Sequence, residues 1–201
     1  GQLQIDAKKL EGKTLLITGP NGLLAGDLVD TIAYLNDNYL KTPCKVIGLQ
    51  LGGVKKNSRL GHLLGRTDMR FESHDVTVPY KPKGEVDFII HAAGRSAPAF
   101  FQSDPLGTID VNVKGIRWIL DCCAKSKKLK GGGVKSVLYM SSGEIYGNPT
   151  PENVPTKETY AGNASTLAPR ACYTSSKRLS ETLCDVYFRN HNVPVKIARP
   201  F

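Results

Sequence analysis

The chain has 201 residues, a formal net charge of +9, 40% hydrophobic residues and 22% charged residues. At roughly 150 residues per domain, this length favours a single domain with one sizeable core, and the composition excludes a disordered chain. No apolar run approaches the roughly 18–20 residues that span a bilayer, and the N-terminal GQLQIDAKKLEGK lacks the apolar stretch of a signal peptide, so a cytoplasmic protein with no membrane partner is expected.

The lysines are scattered through KKL, VKKNSR and KSKKLK without interleaved aromatics. That pattern argues for attraction of small anions and against nucleic acid. Five cysteines, Cys44, Cys122, Cys123, Cys172 and Cys184, form no CxxC pair and read as structural thiols, with no metal expected.

In chain order, KTLLITG (13–19) is a short β-branched run that stops at glycine, the pattern of a buried strand. Residues 22–35 carry apolar side chains at helical spacing. CKVIGL (44–49) and the weaker MRFESHDV (69–76) read as strands, and VDFIIHAAG (86–94) as a strand ending in small residues. A long helix is predicted over 105–127, with Pro105 in its first turn. GGGVKSVLYMSS (131–142) reads as a loop followed by a strand. A polar, Pro-rich connection (148–169), longer than an ordinary loop, is read as functional. A helix over 170–190 and a last strand, VPVKIARP (193–200), complete the pattern. Near-continuous apolar strands alternating with helices predict an α/β fold, its parallel sheet covered on both faces.

ITGPNGLLAG joins the first strand to the first helix. Gly19 and Gly22 allow a tight turn and close approach to a pyrophosphate, whose charge would sit at the helix N-terminus. A strand before the turn and a helix after it are the context this motif requires. Gly19, Asn21, Gly22, Leu23 and Leu24 are therefore expected to line a dinucleotide. At the end of the second strand, where an acidic residue usually holds the ribose hydroxyls, stands Gln50. It does not repel a 2′-phosphate, so NAD is expected with NADP left open.

The strand ending in MSSGEIYG places Ser141, Ser142 and Glu144 beyond a carboxyl end, where open parallel sheets bind ligands. Tyr173 and Lys177 lie one turn apart on the next helix. A phenol with pKa near 10 is a poor base at neutral pH. A neighbouring ammonium and the positive nicotinamide ring are expected to favour the phenolate, with Ser142 bonding the substrate hydroxyl.

The succession TGxxGxx(A), HAAG, NVKG, SSGEIYG, YxxxK and ARPF resembles the extended short-chain dehydrogenase/reductase family of nucleotide-sugar enzymes over essentially the whole chain. PRACYTSSKRLSETLC is most similar to UDP-glucuronate decarboxylases, with sugar-nucleotide dehydratases close behind. The resemblance implies a Rossmann-type doubly wound sheet over residues 1–201. It also implies that the chain stops before the smaller C-terminal region that grips the substrate. Ser142 would be the catalytic serine, Tyr173 the base and Lys177 the ribose-binding lysine. Asp75 and Val76 would face the adenine; Ala92, Ala93 and Gly94 would line the cofactor path; Asn112 would support the active-site backbone. Glu144 matches a glutamate shared by decarboxylases and dehydratases. The implied chemistry oxidises C4 of a nucleotide-sugar to a ketone, after which loss of CO2, loss of water or inversion can follow.

Gly143 departs from the pattern: dehydratases carry aspartate there and decarboxylases serine. Glycine donates no proton from a side chain, which leaves epimerisation open. Arg95 and Arg170 stand where they could approach the substrate. A homodimer through the helices at 105–127 and 170–190 is implied as well. The alternative is a non-catalytic NAD(P)-binding module or sensor of the same fold.

Overall fold

In the computed structural model the described residues are 6–126 and 133–201. The last residue of the long helix predicted to 127, most of the lysines of KSKKLK, and the first two glycines of the loop at 131 lie outside them.

Six strands form one parallel sheet: β1 (Thr14–Thr18), β2 (Lys45–Gln50), β3 (Met69–Ser73), β4 (Phe88–His91), β5 (Ser136–Met140) and β6 (Val195–Ala198). Their order is β3-β2-β1-β4-β5-β6, all neighbours parallel. This is the doubly wound order, and its topological switch lies between β1 and β4. Among the described residues four α-helices flank the sheet: α1 (Leu23–Asn38), α2 (Pro98–Ser103), α3 (Pro105–Ser126) and α4 (Ala171–His191).

The apolar run of β1 explains the two layers. Successive side chains of a strand point to opposite faces. Leu16 goes to one core with Ile89, Ile116, Ile119, Leu120, Val137 and Tyr187, beneath α3 and α4. Leu15 and Ile17 go to the other, with Ala25, Val29, Ile32 and Val46, beneath α1. Both faces of the central strands are dry, while the edge strand β3 alternates, with Arg70 exposed between Met69 and Phe71. At roughly 25 cal/mol per Å2 of apolar surface, burying one such Leu or Ile contributes about 1.5–3 kcal/mol.

Several boundaries differ from those predicted. β3 ends at Ser73 and not at residue 76, because Asp75 turns the chain: its carboxylate accepts from the Thr77 amide and hydroxyl, each at 2.8 Å. The strands predicted at 86–94, 131–142 and 193–200 shorten to their paired segments, while the first helix extends to Asn38. Helix α2 was not predicted at all. It starts with Pro98 in its first turn and ends at Asp104, whose carboxylate accepts from the Gly107 amide at 2.9 Å and begins α3. α4 ends on Asn192 in the left-handed region (φ 52°), an accepted stop signal. The 148–169 connection folds back on the sheet's carboxyl end through a bridge between Gly147 and Asn163. The Arg178 guanidinium also donates to the Ile145 and Ala161 carbonyls there, at 2.7 and 3.0 Å. Among the described residues no helix is long and apolar enough to cross a membrane.

Candidate active site

Beyond the carboxyl ends of β1 and β4 a crevice of about 520 Å3 opens where the sheet order switches. The glycine turn forms its floor. Gly19 holds φ +67°, and a Cβ there would lie 2.7 Å from the Ala93 Cα, so the two backbones meet where only glycine fits. The Gly19 amide donates to the Leu49 carbonyl at 2.9 Å, and Gly22 caps α1. Asn21, Gly22, Leu23, Leu24, Gln50, Ala92, Ala93 and Gly94 line the same space. Gln50 accepts from the Asn21 amide at 3.3 Å. The Asn21 Oδ1 is buried with no partner, an acceptor suited to a ligand hydroxyl. These features fit a dinucleotide: a cradle that a Cβ would fill, a helix N-terminus, and a free acceptor.

Two predicted cofactor contacts are not on this wall. Asp75 spends its carboxylate on Thr77, and the Val76 carbonyl accepts from Trp118 Nε1 at 2.8 Å, beside Gly115 of α3. Asn112 lies behind the crevice. Its Nδ2 donates to the Ser176 hydroxyl at 2.9 Å, and its carbonyl accepts from Ser180 at 3.0 Å, which fastens α3 to α4. Ser176 in turn donates to the Tyr173 carbonyl at 2.9 Å, so Asn112 is linked to the turn that carries Tyr173.

Ser142, Tyr173 and Lys177 come together at the inner end of the crevice. Lys177 is 5% exposed, and its ammonium donates to the Met140 carbonyl at 2.8 Å. It lies 5.0 Å from the centre of the Tyr139 ring and 5.8 Å from that of Tyr173. Burial pushes Lys177 down to about 8, while Glu181 on the same helix is the main group opposing the drop. The Tyr173 ring stacks on Phe101 of α2 at 4.7 Å. Burial raises its pKa, the Ser142 hydroxyl pulls it back, Glu144 adds to the rise and Arg170 opposes it. The ammonium was expected to lower this phenol. In the protein's own field burial wins.

A deeper support lies beneath. The Thr18 hydroxyl and His91 Nδ1 are 2.8 Å apart, and the Ala93 amide donates to the same hydroxyl at 3.2 Å. Full burial, with the Lys177 charge nearby, holds His91 down at about 3 and therefore neutral.

A second, larger cleft of about 870 Å3 adjoins the first, and Ser142, Tyr173, Ser96 and Pro200 form walls of both. Glu144, Arg170 and the 148–169 connection enclose it. Glu144 faces this outer cleft and pairs with Arg170 at 2.7 Å, while Arg170 lies over the Phe101 ring. Arg95 is instead held by Asp104. Gly143 donates its amide to the Pro200 carbonyl at 2.8 Å, and a Cβ on it would sit 2.6 Å from the Phe201 ring. The serine and tyrosine thus stand where a small bound cofactor would meet a second ligand.

Sequence reasoning missed Phe101, Thr18, His91 and the Glu181–Arg199 pair. Glu181 had a readable signal, since it follows Lys177 by four residues on one helix face. Phe101 and His91 had none, because only the folded sheet brings them to the site.

Comparison with known proteins agrees with this geometry. The profile of the NAD dependent epimerase/dehydratase family matches residues 15–201. UDP-glucuronic acid decarboxylase 1 of Danio rerio is 32% identical over 189 residues, covering 94% of this chain and 41% of that protein. UDP-glucuronic acid decarboxylase 1 of Arabidopsis thaliana is 34% identical, covering 93% of this chain and 39% of its own length. The chain thus spans less than half the length of these two curated relatives. Among solved structures, an epimerase from Methanothermobacter thermautotrophicus superposes with a TM-score of 0.76 at 20% identity, over 98% of this chain and 54% of that one. A UDP-glucuronic acid 4-epimerase from Bacillus cereus, solved with NAD, gives 0.67 at 19%, over 92% and 55%. At those identities the likeness is one of fold. With its glycine turn, its switch-point crevice and the profile match over nearly all its length, the chain belongs to the NAD dependent epimerase/dehydratase family.

Proposed function

We propose that this chain is the cofactor-binding half of an NAD-dependent enzyme that remodels a nucleotide-sugar through a 4-keto intermediate. Decarboxylation of a UDP-hexuronic acid is the leading reaction. The observation that carries the reading is Tyr173, shared between the two clefts, with Ser142 beside it and Lys177 at the inner end. NAD bound in the inner crevice supplies a hydride acceptor.

The chain's own residues do the rest. Gly19, Gly22 and the start of α1 hold the pyrophosphate, and Asn21, Gln50 and Lys177 offer partners to its ribose hydroxyls. Ser142 positions the sugar hydroxyl, and Tyr173, once deprotonated, takes its proton as the carbon is oxidised. A carboxylate two carbons from the new ketone then leaves as CO2, its bonding electrons passing to the carbonyl, and a proton later returns to the carbon. Arg170 and Glu144, paired on the outer wall, face the sugar.

Gly143 bears on the choice of outcome. Loss of water needs a donor to protonate the departing hydroxyl, and position 143 offers no side chain while Phe201 occupies the adjoining space. CO2 leaves without protonation. Inversion at C4 needs no donor at position 143 either, so 4-epimerisation is the second reading. The test uses the full-length protein with NAD and a panel of UDP-, dTDP-, GDP- and CDP-sugars, read by mass spectrometry. Loss of CO2 from UDP-glucuronate supports the first reading and unchanged mass with inversion the second. Loss of water, or no turnover of any sugar, would overturn both.

Leu106 and Ile109 of α3, with Leu179 and Val186 of α4, are exposed apolar side chains on adjoining helices. They support a homodimer joined through this helix pair, which sedimentation of the full-length protein checks.

A further inference from the structure

Behind the triad lies a carboxylate for which the proposed mechanism has no use. Glu181 sits one helical turn after Lys177 on α4, and its side chain is mostly buried. The Ser141 hydroxyl donates to its Oε1 at 2.5 Å. Arg199, just past β6, grips both of its oxygens, with Nε to Oε1 at 3.0 Å and Nη2 to Oε2 at 2.7 Å. The same guanidinium donates to the Tyr146 hydroxyl at 2.8 Å and to the Glu158 carbonyl at 3.0 Å, which ties the 148–169 connection to the sheet. Ser141 follows Met140, whose carbonyl receives the Lys177 ammonium. One carboxylate therefore lies a turn of helix from Lys177 and bonds the residue next to Met140, whose carbonyl receives the ammonium, without pairing with Lys177 directly.

We propose that Glu181 is a positioning residue that keeps Lys177 protonated in the buried site, with Arg199 as the counter-charge that limits its effect. The inference rests on the reading of Lys177 as a cofactor-binding residue, but its test does not.

The groups around Lys177 leave Glu181 as the source of negative charge. From β4 comes His91, neutral in its burial; from β5, Tyr139, whose phenol burial drives far upward. From α4 come Tyr173 and Cys184, both with pKa values raised by burial and so protonated near neutral pH. From α3 comes the uncharged Asn112, near the same Gly94 backbone. Removing water from an ammonium favours its neutral form, and an acidic neighbour at helical spacing opposes that. Arg199, bonded to both oxygens, weakens the field that reaches Lys177.

The two partners must then act in opposite directions. In the chain labelled with 13C at lysine Cε, the Lys177 resonance is identified by its loss in Lys177→Met, and its titration is followed without cofactor or substrate. Glu181→Gln keeps an acceptor for Ser141 but loses the charge, so its Lys177 midpoint is expected to fall by about one pH unit. Arg199→Gln is expected to raise it, and Glu181→Asp to restore most of the native value. A purely structural role would move Glu181→Gln and Arg199→Gln the same way, or neither. That result, with a folded protein by circular dichroism, would overturn the proposal. Where Arg199→Gln fails to fold, the pair Glu181→Gln and Glu181→Asp still decides: equal midpoints refute it. Failure of the native chain to bind NAD would instead count against the proposed function and leave this titration standing.

Discussion

Tyr173 and Lys177 differ in how their charge is controlled. Burial raises the Tyr173 phenol in the protein's own field, so the proposed mechanism needs the positive charge of bound NAD to favour the phenolate. Tyr173→Phe is expected to leave the fold and dinucleotide affinity intact while lowering kcat by about 100- to 10,000-fold, measured by steady-state kinetics beside a binding titration. Lys177 is different, because its burial works against stability. Its folded pKa of about 8 lies below the ordinary 10.5, so between those values the unfolded chain holds the extra proton. The lysine's contribution to stability is therefore full only above pH 10.5 and is lost as pH falls through 8. Lys177→Met is expected to stabilise the chain at pH 7 by about 1–3 kcal/mol while weakening NAD binding. In thermal melts the gain should shrink as pH rises from 8 to 10.5; a gain that grows with pH would contradict this assignment. The Tyr–Lys spacing was legible because both residues lie on one helix. The stacking of Phe101 on Tyr173 was not, for the two are far apart in sequence and meet only through the packing of α2 beside α4.

At the scale of elements, the turn between β1 and α1 carries the site. A side chain at Gly19 meets the backbone of Ala93 and sits at positive φ, so no rotamer relieves it. Gly19→Ala is expected to cost about 1–3 kcal/mol in urea unfolding and to abolish dinucleotide binding in calorimetry. Unchanged affinity would show that the crevice is not the cofactor site. This turn was readable because glycine at a strand end leaves few conformational choices. The end of β3 was not: the SHDV stretch carries no glycine or proline to mark a stop, yet the Asp75 carboxylate turns the chain by accepting from Thr77. Pro98 and Asp104 were likewise visible residues whose meaning, a short helix and a cap, depended on chain direction that the pattern alone does not set.

For the whole molecule, a parallel sheet covered on both faces followed from the apolar strands, while its doubly wound arrangement was implied only by the family resemblance. Leu15, Leu16 and Ile17 illustrate the covered faces, since the run alternates between two cores and fills both. The outer cleft was less legible: its walls come from the 148–169 connection, whose polar residues signal a loop but not where it lies. The central claim, that Tyr173 deprotonates a sugar hydroxyl while its carbon gives up hydride, is tested most directly on the full-length protein loaded with NAD. UDP-glucuronate is added and the absorbance of reduced nicotinamide followed by stopped flow. A transient rise in the native protein, absent from Tyr173→Phe with NAD still bound, is expected. The same rise at the same rate in Tyr173→Phe would contradict it.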